Sequence, residues 1–222
     1  MKPLYFLFCF SLLFILFALQ IQVSAQAVAD PQSLNVYKTM GAITVDGQLN
    51  EPDWYMATGR HHLMFKMDGV PSGYSNTPTA GAIVKPPYSD VSTCYVSFLR
   101  NGYDLYIGLA SNDAQVCRFD WEGDGMFMKI KNASGANEYE IKNYVGSNPE
   151  FVFETNAPSG VTEGVGYPLP GTTIFDSTDV DPGYTAETVI HLDQLGFTDP
   201  LATVTLMIVI FDPDNYSCLP RQ

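Results

Sequence analysis

Trp121 stands in the run Cys117-Arg118-Phe119-Asp120-Trp121-Glu122-Gly123-Asp124-Gly125, with a carboxylate on either side and glycines close behind it. An indole in so polar a stretch has difficulty burying all of its surface. Left partly open, it offers a flat apolar face on which a pyranose can lay its C–H groups while neighbouring carboxylates accept from its hydroxyls. Trp121 is therefore the candidate stacking residue, with Glu122, Asp124 and either Asn112 or Asp113 as partners for hydroxyls or for a nearby cation. A half-buried packing tryptophan is the plainer alternative. Asp113, Asp120, Asp212 and Asp214 form the candidate metal set, because hard carboxylate oxygens on loops suit calcium. Solvated carboxylates on an acidic chain compete with that reading, since no spacing matches a helix-flanked calcium loop.

Other chemistry finds little support. There is no nucleophile elbow and no His-Glu-x-x-His zinc motif, and the only histidines are His61, His62 and His191. Adjacent in a strand, His61 and His62 would point to opposite faces, which argues against a joint metal site. The 24 acidic residues against 11 basic ones leave a net charge of −13, which argues against a nucleic-acid binder. With 46% apolar residues and 13% aromatics the chain is too hydrophobic to be a disordered acidic tail.

These residues must be positioned by short strands with turn residues between them, the pattern of an all-β, antiparallel β-sandwich carrying one or two short helical turns. Ile43-Thr44-Val45 reads as a strand ending at the Asp46-Gly47 turn. Asn50 and Pro52 then open a short helix through Trp54 to Ala57, with Trp54 as a core plug. Ser92 to Leu99 alternates, and Asn101-Gly102 signals a hairpin to a partner strand from Tyr103 to Ala110, with Leu105, Ile107 and Leu109 inward. Further strands are expected at Gly125 to Lys131, Glu138 to Asn143, Phe151 to Glu154 and Tyr184 to Ile190, then a helical turn at His191 to Leu195. Val204 to Phe211, apolar on both faces, reads as a central strand. His62 to Asp90, rich in Pro, Gly, Ser and Thr, reads as one long loop.

Four segments in order resemble carbohydrate-binding module family 9, the secreted sandwich modules found on polysaccharide-degrading enzymes. They are Ile43 to Trp54, with its Asp-Gly turn, acidic residue and tryptophan; Asp104 to Leu109 with Asn112-Asp113; Trp121 to Met128; and Gly183 to Leu192, followed by Phe211-Asp212-Pro213-Asp214. The resemblance spans Ile43 to Asp214. It implies a non-catalytic module that binds polysaccharide or oligosaccharide such as xylan or cellulose. It also implies a glycoside hydrolase as partner and structural calcium as the one cofactor. Trp121 inherits one wall of the family's aromatic clamp, and Glu140 lies on the strand where the family places a polar sugar contact. The chain departs from the family in two places: Phe127 occupies the position of an acidic residue, and no tryptophan follows Trp121, so either another aromatic such as Tyr74, Tyr88 or Tyr216 supplies the second wall, or the chain is a fragment, or sugar binding has been lost. The family's last strand is not visible after Cys218.

Lys2, the apolar stretch Leu4 to Leu19 and Val23-Ser24-Ala25 read as a secretory signal over residues 1–25, cleaved before Gln26, with residues 26–34 a linker and 35–222 the sandwich. The protein is then secreted, to the medium, periplasm or cell surface, with no membrane contact beyond that signal. Cys94, Cys117 and Cys218 allow at most one intramolecular bridge. Asn132-Ala133-Ser134 and Asn215-Tyr216-Ser217 fit the glycosylation sequon. Two rival readings remain. One is a haem-binding electron-transfer sandwich using Met64, Met126 or Met128 with His61 or His62; the other is a degenerate structural domain of a larger exported protein.

Overall fold

The computed structural model describes residues 34–55, 62–66, 92–119, 122–176 and 178–212, all within the unit Ser33–Gln222. The strands in chain order are β1 (Tyr37–Lys38), β2 (His62–Lys66), β3 (Thr93–Asn101), β4 (Asp104–Ser111), β5 (Arg118–Phe119), β6 (Glu122–Gly123), β7 (Gly125–Lys131), β8 (Glu138–Val145), β9 (Phe151–Thr155), β10 (Thr162–Pro168), β11 (Tyr184–His191) and β12 (Leu206–Phe211). One sheet runs β1-β3-β4-β11-β10, with β2 also on β3; a second runs β12-β7-β8-β9; β5 and β6 form a small pair of their own. Every pairing is antiparallel except the two-residue contact of β1 with β3.

Side-chain alternation explains how the two sheets face each other. Val96 and Phe98 on β3, Leu105, Ile107 and Leu109 on β4, and Ala186 and Ile190 on β11 meet Met126, Met128 and Ile130 on β7, Ile141 on β8, and Ile208 and Ile210 on β12. Each Val, Leu, Ile, Phe or Met among them contributes about 1.5–3 kcal/mol on burial. Met126 and Met128 are core filler, as their inward alternation predicts, whereas Met64 is exposed. Asn143, fully buried on β8, crosses between the sheets by donating Nδ2 to the Glu187 carbonyl at 3.1 Å.

The outer face of the first sheet carries a second apolar cluster of Trp54, Leu99, Tyr106 and Val189, with Tyr37, Ile43, Val45 and Leu49 packed on it. Trp54 is the plug its sequence context suggests, on a helical turn at residues 52–55. Gly108 on β4 makes room for it, since a Cβ there would lie 2.9 Å from Trp54 Cζ3 and 2.6 Å from Leu49 Cδ2.

Several expectations change. Residues 43–45 join no ladder; Ile43 and Val45 instead pack on the second cluster. His62–Lys66, expected in a loop, is a strand on β3. β10 has no counterpart in the sequence reading, because Gly164, Gly166 and Pro168 are poor strand residues. The β3–β4 loop is Gly102-Tyr103 rather than Asn101-Gly102, with Asn101 paired to Asp104 and the positive φ of 58° on Gly102. A two-residue hairpin with glycine first in the loop matches a type II′ turn. β12 is a terminal strand of its sheet among the described residues, not a central one. Among those residues no helix is long and apolar enough to cross a membrane. The signal segment, Tyr74, Tyr88, Tyr216, His61 and Cys218 lie outside the described residues.

Candidate functional site

At one end of the sandwich β3, β7 and β11 begin while β4 and β12 finish, as the registers Cys94 to Ser111, Ser111 to Tyr184 and Phe211 to Gly125 require. Asp113 lies two residues beyond β4, Asp124 just before β7 and Asp212 just after β12. Antiparallel pairing thus gathers three acids from distant parts of the chain, and one carboxylate oxygen of each lies within 4.8 Å of the others. Asp113 Oδ1 accepts from the Gln115 N–H at 2.9 Å, Asp124 Oδ2 from the Cys117 N–H, and Asp212 Oδ2 from Ser92 Oγ at 2.7 Å.

The cluster's negative field reaches its buried neighbours. The Cys94 thiol donates to Ser111 Oγ at 3.2 Å. Burial, with Asp212 and Asp113 nearby, pushes its pKa up to about 12. Burial also holds the Tyr184 phenol well above its ordinary value, aided by Cys94, Asp124, Asp113 and Asp212. The thiol therefore stays neutral, and the donor set is carboxylate oxygen, the set that suits calcium.

The sequence candidates separate on this geometry. Asp124 is 0% exposed and Asp113 1%, so neither can meet the hydroxyls of an external sugar; burial turns both inward to the acid cluster. Asn112 is exposed, but its Oδ1 accepts the Thr93 N–H at 2.7 Å and fastens the start of β3. Glu140 on β8 faces Lys129 and pairs with its ammonium at 3.1 Å. It is not brought to the others: Lys129 is four residues along β7 from Gly125, about 13 Å of strand. Of the four acids expected as a metal set, Asp113 and Asp212 come together, and Asp124 joins them. Asp120, Trp121 and Asp214 lie outside the described residues; Glu122 is in β6, but its side chain is not described.

Beside this end lies a surface that sequence reading passed over. Met126, Met128 and Ile130 point inward, so Phe127, Lys129 and Lys131 point out, as their alternation predicts. The register sets Val209 and Lys142 beside Phe127, and Phe211 and Tyr144 beside Gly125. Phe211, Gly125 and Tyr144 form a row across three strands, with Gly125 buried between the two aromatics and their backbones about 10 Å apart. Phe127, Tyr144, Val209 and Phe211 belong to neither apolar cluster. The rings of Phe127 and Phe211 lie 6.3 Å apart at 40°. Lys129 and Lys142 stand 5.8 and 5.9 Å from the Phe127 ring, and the Arg118 guanidinium on β5 lies 5.5 Å from the Tyr144 ring. Outward alternation of β7 was legible; which residues of β8, β12 and β5 adjoin it was not.

Cys117 is buried and disulfide-bonded, while Cys94 is a buried free thiol. The partner of Cys117 lies outside the described residues.

No protein-family model and no curated protein matches the chain. Among solved structures the fold is similar to that of a carbohydrate binding module family 9 (CBM9) from Caldicellulosiruptor kristjanssonii in complex with cellotriose, at 11% identity over 71% of this chain and 67% of that one, with a TM-score of 0.43. It is likewise similar to a CBM9 from the same organism in complex with glucose, at 13% identity over 70% and 67% of the two chains and a TM-score of 0.39.

Proposed function

We propose that this protein is a non-catalytic, exported carbohydrate-binding domain that holds plant-type polysaccharide such as xylan or cellulose for a glycoside hydrolase beside it or attached to it. The observation that carries the reading is the outer face of the second sheet, where the half-buried rings of Phe211, Phe127 and Tyr144 gather around Gly125 and stand outside both apolar clusters. Sugar rings lie against aromatic faces through their C–H groups, and the charged side chains around those rings supply partners for hydroxyls. The Arg118 guanidinium of β5 lies 5.5 Å from the centre of the Tyr144 ring, and Trp121, three residues further on in the sequence, keeps the stacking role that the family resemblance gives it. Binding of this kind raises the effective concentration of an attached enzyme at its substrate.

Export is supported by the charged start, apolar middle and small-residue site of residues 1–25 and by the disulfide at Cys117, since such bonds persist in oxidising compartments. Calcium is the cation that Asp113, Asp124 and Asp212 would hold, and it would act by pinning the ends of β4, β7 and β12 together rather than in any reaction.

A glycan array of the purified protein beside Tyr144→Ala and Trp121→Ala tests the reading. Binding by the parent, weakened about tenfold or ~1.4 kcal/mol in Tyr144→Ala, is expected. Equal binding by both variants removes the site, and no binding by the parent removes the function.

A further inference from the structure

Three consecutive backbone N–H groups beyond β4 serve three different buried acids. The Gln115 N–H donates to Asp113 Oδ1 at 2.9 Å, the Val116 N–H to Asp181 Oδ2 at 2.8 Å and the Cys117 N–H to Asp124 Oδ2. Two of these contacts are returned, since the Asp181 N–H donates to the Ala114 carbonyl and the Asp124 N–H to the Cys117 carbonyl, both at 3.0 Å. Residues 114–117 are therefore a strap that holds Asp113 and Asp124, two members of the acid cluster. The third member, Asp212, stands on a separate stretch of chain just after β12, where Ser92 Oγ donates to it at 2.7 Å.

Cys117 ends that strap. It is disulfide-bonded, while Cys94 is a free thiol. Of the four cysteines in the chain, this leaves Cys9 and Cys218 as partners. Cys9 falls in the apolar stretch of the expected signal, whereas Cys218 follows Asp212 by six residues, a length that spans about 20 Å when extended. Asp212 is already close: one of its carboxylate oxygens lies within 4.8 Å of one on Asp124, whose Oδ2 meets the Cys117 N–H. The gap from Asp212 to Cys117 is therefore well within the reach of those six residues.

We propose that Cys117 is bonded to Cys218 and that this disulfide is the lock on the acid end of the sandwich: it ties the strap that holds Asp113 and Asp124 to the segment that leaves Asp212. Like charges packed this closely repel, and a covalent link between their carriers limits how far the strap can lift away. Forming the bond takes two protons and two electrons from the two thiols; a small disulfide such as oxidised glutathione accepts them and is cleaved to two thiols. The lock thus closes in an oxidising compartment and is open in a reducing one.

A proteolytic digest made without reductant and read by mass spectrometry should contain a linked pair of peptides that carries Cys117 and Cys218. Cys117 linked to any other cysteine overturns the proposal. Hydrogen exchange then compares the oxidised protein with Cys218→Ser, and with the parent reduced by a phosphine should that variant fail to fold. Opening the bond should speed exchange at the Gln115, Val116 and Cys117 amides by about tenfold. The amides of Leu105, Ile107 and Leu109, on a strand paired on both sides within the first sheet, should be unchanged. Unchanged exchange at residues 115–117 overturns the lock. An equal rise across residues 105–109 overturns it too, because the bond would then act on the fold as a whole.

Discussion

Trp54 Nε1 donates a 2.7 Å hydrogen bond to Glu187 Oε1 across 133 positions of sequence. The other carboxylate oxygen, Oε2, accepts from the backbone N–H groups of Asp46 and Gly47 at 2.8 and 2.7 Å. One buried side chain on β11 therefore fastens both the Asp-Gly turn and the tryptophan that follows it. Trp54→Phe keeps much of the packing but removes a donor from a buried carboxylate, at a cost of about 1.5–3 kcal/mol. In a domain of this size Tm should fall by about 2–4 °C per kcal/mol. Thermal unfolding of Trp54→Phe, Glu187→Ala and the double variant checks it: costs that simply add would show that the two residues are not coupled.

Glu187 also sets a pH dependence. Burial raises its pKa above the ordinary 4.5, and the bonds from Gly47 and Asp46 oppose the rise only in part. The folded chain then keeps this proton to a higher pH than the unfolded chain does. The stabilisation that the proton provides is complete below 4.5 and is lost as the pH rises through the folded value. Against Glu187→Gln, the parent should lose relative stability between pH 4.5 and neutrality. A constant difference across that range would mean that the group titrates alike in both states.

The Cys94 thiol is 1% exposed, with a pKa pushed up to about 12 from 9.0. Native protein should leave Cys94 unlabelled by a thiol-specific reagent at pH 8, and denaturant should expose it, as peptide mapping would show. Rapid labelling of Cys94 in the native state would contradict its burial. Because the unfolded thiol ionises first, Cys94 also lowers stability as the pH rises above 9.0.

Calcium at Asp113, Asp124 and Asp212 would stabilise the folded chain by mass action. At a concentration 100 times its Kd the gain is about 2.7 kcal/mol, or about 5–10 °C in Tm. Thermal scans with calcium, with a chelator and with Asp124→Asn check this. The chelator should lower Tm in the parent and leave the variant unmoved. A parent Tm that ignores both additions would mean that the three acids hold no calcium.

The strands legible in the sequence are those whose pattern is local. Val96, Phe98, Leu105, Ile107 and Leu109, and Met126, Met128 and Ile130, alternate with residues that face the other way, and that period is enough to assign both strand and inward face. β10 was illegible for the opposite reason. Its Gly164 and Gly166 look like loop, and they belong in a strand only because the rings of Phe153 and Phe151 on β9 occupy the space their side chains would need. β12 is apolar at every position, so its composition could not tell a central strand from the terminal one observed.

The site divides in the same way. Composition and spacing alone established an acidic, core-forming, all-β chain with aromatics and carboxylates crowded around residues 112–128, because those properties depend on residues near one another in sequence. They could not separate acids that face solvent from acids that face one another. Asp124 stands three residues from Trp121 but is turned toward Asp113 and Asp212, and Phe127 gains Lys142, Val209 and Phe211 as neighbours only through strand register. Burial and register come from pairing between distant segments, and so these contacts exist only once the two sheets have closed over their common core.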